Sequence, residues 1–117
     1  MMYNKGTIKQ KGSIDMAVLK VTKDNFAEVR ASEKPVLLDF YADWCGPCRM
    51  VFPLVDEIAE EHSEYTVGKI NVDQQMELAE AFGVSSIPML VVMKNGQVTA
   101  RAVGARPKSA ILDMLNG

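Results

Sequence analysis

Apolar and polar positions switch between two periods along this chain, and the switches mark out nine elements. Ala17–Val21 reads as a short strand. Thr22, Asp24 and Asn25 offer caps for a helix that buries Phe26 and Val29 and ends before Pro35. Pro35–Tyr41 carries a near-continuous apolar run, as in a strand covered on both faces. Val36, Leu38 and Phe40 take one face of it, and Leu37, Asp39 and Tyr41 take the other. From Cys45 to about His62 the period becomes helical. Val51, Val55 and Ile58 form a stripe widened by Leu54 and Ala59, with Asp56, Glu57, Glu60 and Glu61 largely opposite. Pro53 inside this helix deletes a backbone bond and predicts a kink.

Tyr65–Asn71 is the next strand, parallel to the central one because a crossover helix reaches it. A short helix around Met76–Phe82 ends at Gly83, and Pro88 precedes the strand Met89–Met93. Asn95-Gly96 predicts a tight hairpin into Val98–Val103. Gly104 ends that strand, and a last helix from about Pro107 to Leu115 buries Ile111, Leu112 and Leu115. The order βαβαβαββα predicts an α/β domain, a mixed sheet with helices on both faces. Residues 1–15 have no period and read as a disordered N-terminal extension or an appended remnant. The domain is then residues 16–117, with Met16 as a natural start.

A chain of 117 residues buries about two-thirds of its unfolded surface in one domain without staples. Its net charge is −2, and the first fifteen residues hold three lysines against one aspartate, which leaves −4 on the rest. That balance argues against nucleic acid as a ligand. No apolar run reaches the ~18 residues of a membrane-spanning helix, and the N-terminus lacks the apolar core and cleavage site of a secretory signal. A reducing, cytoplasmic setting is the default expectation, as is a monomer.

Both cysteines fall in Trp44-Cys45-Gly46-Pro47-Cys48, where a buried strand gives way to a helix. Two thiols three positions apart on a first helical turn are near enough to pair, and C-x-x-C spacing reads as redox or metal chemistry. Metal fails on counting. A structural zinc site takes four ligands, and the only histidine, His62, lies fourteen residues beyond Cys48, about 20 Å along a helix. Only a cluster shared between chains would supply the missing ligands. A helix N-terminus favours the thiolate, so Cys45, beside the loop, is the exposed candidate nucleophile and Cys48 the buried resolving thiol. Gly46 permits a tight turn, and Pro47 fits a first-turn position needing no N–H. Asp39 is a costly residue in a doubly covered strand, because burial disfavours its charge; chemistry is a reason to keep it.

The segment Asp39-Phe40-Tyr41-Ala42-Asp43-Trp44-Cys45-Gly46-Pro47-Cys48-Arg49 resembles the active-site segment of the thioredoxin family, and the similarity extends over roughly residues 17–116. A C-x-x-C beside a βαβ pattern is a general mark of that family. The resemblance implies a thioredoxin fold, a central mixed sheet of about five strands flanked by four helices. It implies a protein-disulfide reductase with no bound cofactor, whose Cys45–Cys48 pair stores two electrons supplied by NADPH through a thioredoxin reductase. Asp39 would accept the proton of Cys48, through water; the competing reading has it bonded to backbone or to Lys69, which matches a family lysine. The Ile87-Pro88 bond would be cis and face the cysteines. Disulfide-containing protein substrates would touch Trp44, Gly46, Pro47, Val72, Ile87, Pro88, Val103, Gly104 and Ala105, although plain sheet core explains Val72 and Val103 equally well. Tyr41 stands where the family usually has Trp, Phe52 where Ala is familiar, Arg49 where Lys is commoner and Met89 where Thr is usual. Two alternatives are a binding subunit of a larger complex and a disulfide isomerase or oxidase. The latter is disfavoured because Gly46-Pro47 lacks the His that such relatives place there.

Overall fold

Six residues with one polar member among them cannot sit at a sheet edge, and Val36–Tyr41 accordingly lies in the middle of one. The computed structural model describes residues 17–117; the extension expected at residues 1–15 lies outside them. In chain order the elements are β1 (Val18–Lys20), α1 (Phe26–Arg30), β2 (Val36–Tyr41), α2 (Gly46–Glu61), β3 (Thr66–Asn71), α3 (Met76–Ala81), β4 (Met89–Lys94), β5 (Gln97–Val103) and α4 (Lys108–Asn116). This is the expected order, with most ends shifted by a residue or two. The strands run β1-β3-β2-β4-β5. β3 pairs parallel with β1 and β2, and β4 pairs antiparallel with β2 and β5.

Alternation along β2 splits the core as expected. Val36, Leu38 and Phe40 pack on the side of Val29, Leu78 and Phe82. Leu37 packs opposite, with Val51, Val55, Ile58, Ile111 and Leu115. Thus α1 and α3 cover one face and α2 and α4 the other. Lys108 ties the latter two together, donating to Glu57 at 3.0 Å and Glu61 at 2.6 Å. Leu112, expected to be buried, is only half-buried at the rim of this cluster. The hairpin between β4 and β5 turns at Asn95 and Gly96, whose φ values of 55° and 78° are the left-handed pair that an Asn-Gly turn supplies.

The caps expected for α1 are corrected. Asn25 holds the N-cap position without a side-chain cap bond. Its amide turns back instead, accepting from the Thr22 N–H at 2.8 Å and donating to the Lys20 carbonyl at 2.9 Å. Gly68 in β3 allows close approach on the α1 side. A Cβ there would drive into Val21 Cγ2, with Leu38 close behind. Gly68→Ala is therefore expected to destabilise by about 1–3 kcal/mol, read as a lower thermal midpoint. An unchanged midpoint would mean that Val21 yields freely.

Candidate active site

The end of β2 and the start of α2 bring the dithiol into place. Cys45 and Cys48 are disulfide-bonded, with Cα atoms 5.3 Å apart. Cys45 is the N-cap of α2 and not its first helical residue, and its Sγ accepts the Cys48 backbone N–H at 3.2 Å. That bond places the sulfur on one of the unsatisfied donors at the positive end of a sixteen-residue helix, whose first turn holds no acidic residue. The same N–H would stabilise a Cys45 thiolate in the reduced protein. Gly46 and Pro47 are exposed on the first turn. Arg49 Nη2 donates to the Asp43 carbonyl at 3.0 Å, pinning the loop that enters the site.

The exposed Cys45 expected from the sequence is corrected: Cys45, like Cys48, is buried. Cys45 is 4% exposed and Cys48 is 0%. Ala42 completes this small cluster, and Tyr41, Phe52, Val72 and Ile87 wall it from separate elements. Val72 and Ile87 are thus brought to the dithiol, and they join Trp44 in a shallow groove with Val84, Ser85 and Ser86. The Ile87-Pro88 bond is cis. Pro88 is buried and its carbonyl accepts the Gly104 N–H at 2.8 Å, while Val103 lies opposite Met89 in the ladder. Val103 is 53% exposed and Ala105 is also exposed, so the sheet-core reading of Val103 is corrected.

Trp44 is 69% exposed, which is costly for an indole unless something fixes it. Its Nε1–H donates to Asp73 Oδ2 at 2.8 Å. Asp73 is held in turn by Asn71, whose Oδ1 accepts the Asp73 and Gln74 N–H groups. Sequence reasoning missed Asp73. It stands twenty-nine residues from Trp44, and its only signal was the polar cluster closing β3.

Asp39 is fully buried on the α2 side, opposite Lys69 in the β2–β3 register. Among the described residues neither carboxyl oxygen has a hydrogen-bond partner, so the reading that bonded it to backbone or Lys69 is overturned. Burial lifts its pKa from 3.8 to about 7, with Lys69 pulling against the rise and Asp56 adding to it. A carboxyl so placed can hold or release a proton near neutrality. His62, at the C-terminal end of α2, pairs with Glu64 at 3.0 Å and stacks on Tyr65. Among the described residues, no group of three or more His, Cys, Asp or Glu is arranged to hold a metal, and none of the helices there is long and apolar enough to cross a membrane.

The thioredoxin family model matches residues 17–117. The chain is 50% identical over 102 residues to a thioredoxin of Mycobacterium bovis, covering 86% of this chain and 88% of that one. It is 50% identical over 88 residues to a bifunctional thioredoxin reductase/thioredoxin of Mycobacterium leprae, covering 74% of this chain and 19% of that protein. In structure it resembles a point-mutant thioredoxin from Halobacterium salinarum, with a TM-score of 0.80 and 37% identity over 92% of this chain and 94% of that one. The five-stranded sheet with its four helices is the thioredoxin fold. A match that spans every described residue, on a fold that presents its two cysteines as a bonded pair, shows that the chain belongs to the thioredoxin family.

Proposed function

We propose that this protein-disulfide reductase works by the following cycle. The Cys45 thiolate attacks one sulfur of a substrate disulfide; the substrate S–S bond breaks, a mixed disulfide forms, and one substrate thiolate leaves. Cys48 then gives its proton to the Asp39 carboxylate and attacks Cys45 Sγ. That step breaks the mixed disulfide and releases the second substrate thiolate. The substrate gains two electrons and the protein is left in the bonded state of Cys45 and Cys48. The observation that supports this reading is the Cys48 N–H donated to Cys45 Sγ at the head of α2, a donor that would stabilise charge on that sulfur.

An extended substrate segment would lie along Trp44, Ile87 and Pro88 and reach Val103, Gly104 and Ala105. The exposure of Trp44 and Val103 supports this. A thioredoxin reductase, drawing on NADPH through its flavin, would recharge the dithiol. The pairing of the two activities in one Mycobacterium leprae chain supports a partner of that kind. A cytoplasmic setting follows from a reducing role.

The reduction potential of Cys45–Cys48, measured by equilibration in dithiothreitol buffers and alkylation of free thiols, tests the direction of transfer. A value well below the about −180 mV of disulfide isomerases is expected, since neither Gly46 nor Pro47 adds positive charge beside Cys45. A value at or above it would assign the protein to isomerisation or oxidation.

A further inference from the structure

Lys69 sits directly across from Asp39 in the parallel pairing of β2 and β3, yet the carboxyl has no hydrogen-bond partner. The lysine ammonium lies instead over two aromatic rings, 4.4 Å from the centroid of Phe52 and 5.8 Å from that of Tyr41. The rings meet edge to face, 5.1 Å apart at 88°. Three elements converge here: Tyr41 ends β2, Lys69 lies in β3, and Phe52 comes from the second turn of α2. Both rings attract a cation through their quadrupoles.

We infer that Phe52 and Tyr41 form an aromatic clamp on Lys69, which holds its charge close to Asp39 but out of a salt bridge with it. The clamp matters to turnover only if Asp39 is the proton acceptor proposed above. A direct ion pair would favour the carboxylate so strongly that it became a poor base, typically by one to three pH units. With no cation nearby, desolvation would keep the carboxyl protonated and unable to accept anything. The clamped position lies between these limits. Among the described residues, the other charge acting on Asp39 is Asp56 from α2, which raises it; the Tyr41 phenol on its own strand is itself pushed upward, chiefly by burial and in small part by Asp39. Across the β2–β4 pairing Asp39 faces Leu90, and the described core on this side of the sheet, Leu37, Val51, Val55, Ile111 and Leu115 among it, is apolar.

The test is the carboxyl ¹³C titration of Asp39 in the oxidised protein. Phe52→Leu keeps apolar bulk but removes the ring face, so the ammonium is released onto the nearest anion. The Asp39 midpoint is expected to fall by about half a pH unit or more. Phe52→Tyr keeps the ring and should retain the wild-type midpoint. Lys69→Met, which deletes the charge, should move the midpoint up. A Phe52→Leu midpoint that stays or rises overturns the clamp, as does a shift shared by Phe52→Tyr. If the midpoint falls while the pH profile of mixed-disulfide resolution does not follow, the clamp stands and the acceptor role of Asp39 fails.

Discussion

Cys45→Ser is expected to lower disulfide reduction by at least about a thousandfold, while Cys48→Ser arrests the protein as a covalent adduct with its substrate. The two outcomes differ because the two sulfurs occupy different positions on one helical turn. Cys45 caps α2 and receives the Cys48 N–H, so a negative charge there is stabilised by a donor and by the helix end. Serine at that position keeps the geometry but not the acidity, and its hydroxyl stays protonated. Cys48 lies inside the turn with no exposed surface, so an incoming disulfide cannot reach it first. Its removal leaves the opening attack intact and deletes only the release. Mass spectrometry after incubation with an oxidised protein reads both results. An adduct on Cys45→Ser and none on Cys48→Ser would reverse the roles. The double serine variant separates catalysis from docking: if the protein acts mainly as a binding subunit, that variant keeps its function.

Much of this site could be read from the chain because its parts are contiguous. The apolar run of β2, the helical stripe of α2 and the dithiol between them occupy residues 36–61, and each is a local pattern. The Asn95-Gly96 turn was equally plain, since few other residues accept two successive positive φ values. What stayed hidden depends on which elements come together. The burial of Cys45 by Val72 and Ile87, contributed from beyond β3 and just before β4, follows from no spacing near Cys45; the family resemblance alone named those two residues, and as substrate contacts. Asp73 under Trp44 and Phe52 under Lys69 are contacts between segments, visible only when the sheet register is fixed. Asn25 was misread for a related reason. A side-chain amide satisfies a helix end or a preceding loop equally well, and the path of the chain from Lys20 decides between them.

Asp39→Asn is expected to stabilise the protein at pH 8 and slow it at the same time. In the unfolded chain this carboxyl titrates near 3.8, and in the folded protein near 7. Below 3.8 both states hold the proton and folding is indifferent to it. Between 3.8 and about 7 the folded state keeps a proton that the unfolded state has released, so stability falls as pH rises. Above 7 the loss is complete, and a displacement of about three units corresponds to about 4 kcal/mol. Asparagine cannot ionise and escapes this cost, but its amide is left unpartnered where Asp39 has no hydrogen bond, at about 1–3 kcal/mol. The net gain at pH 8 should be about 1–3 kcal/mol, read as a higher thermal midpoint, and it should vanish or reverse near pH 4. Resolution of the mixed disulfide should slow by about a hundredfold or more, the usual contribution of a positioned base, and lose its dependence on pH around 7. A stability difference that is flat between pH 4 and 8 would mean that Asp39 is solvated in the folded protein. Unchanged resolution kinetics would mean that the Cys48 proton leaves by another route.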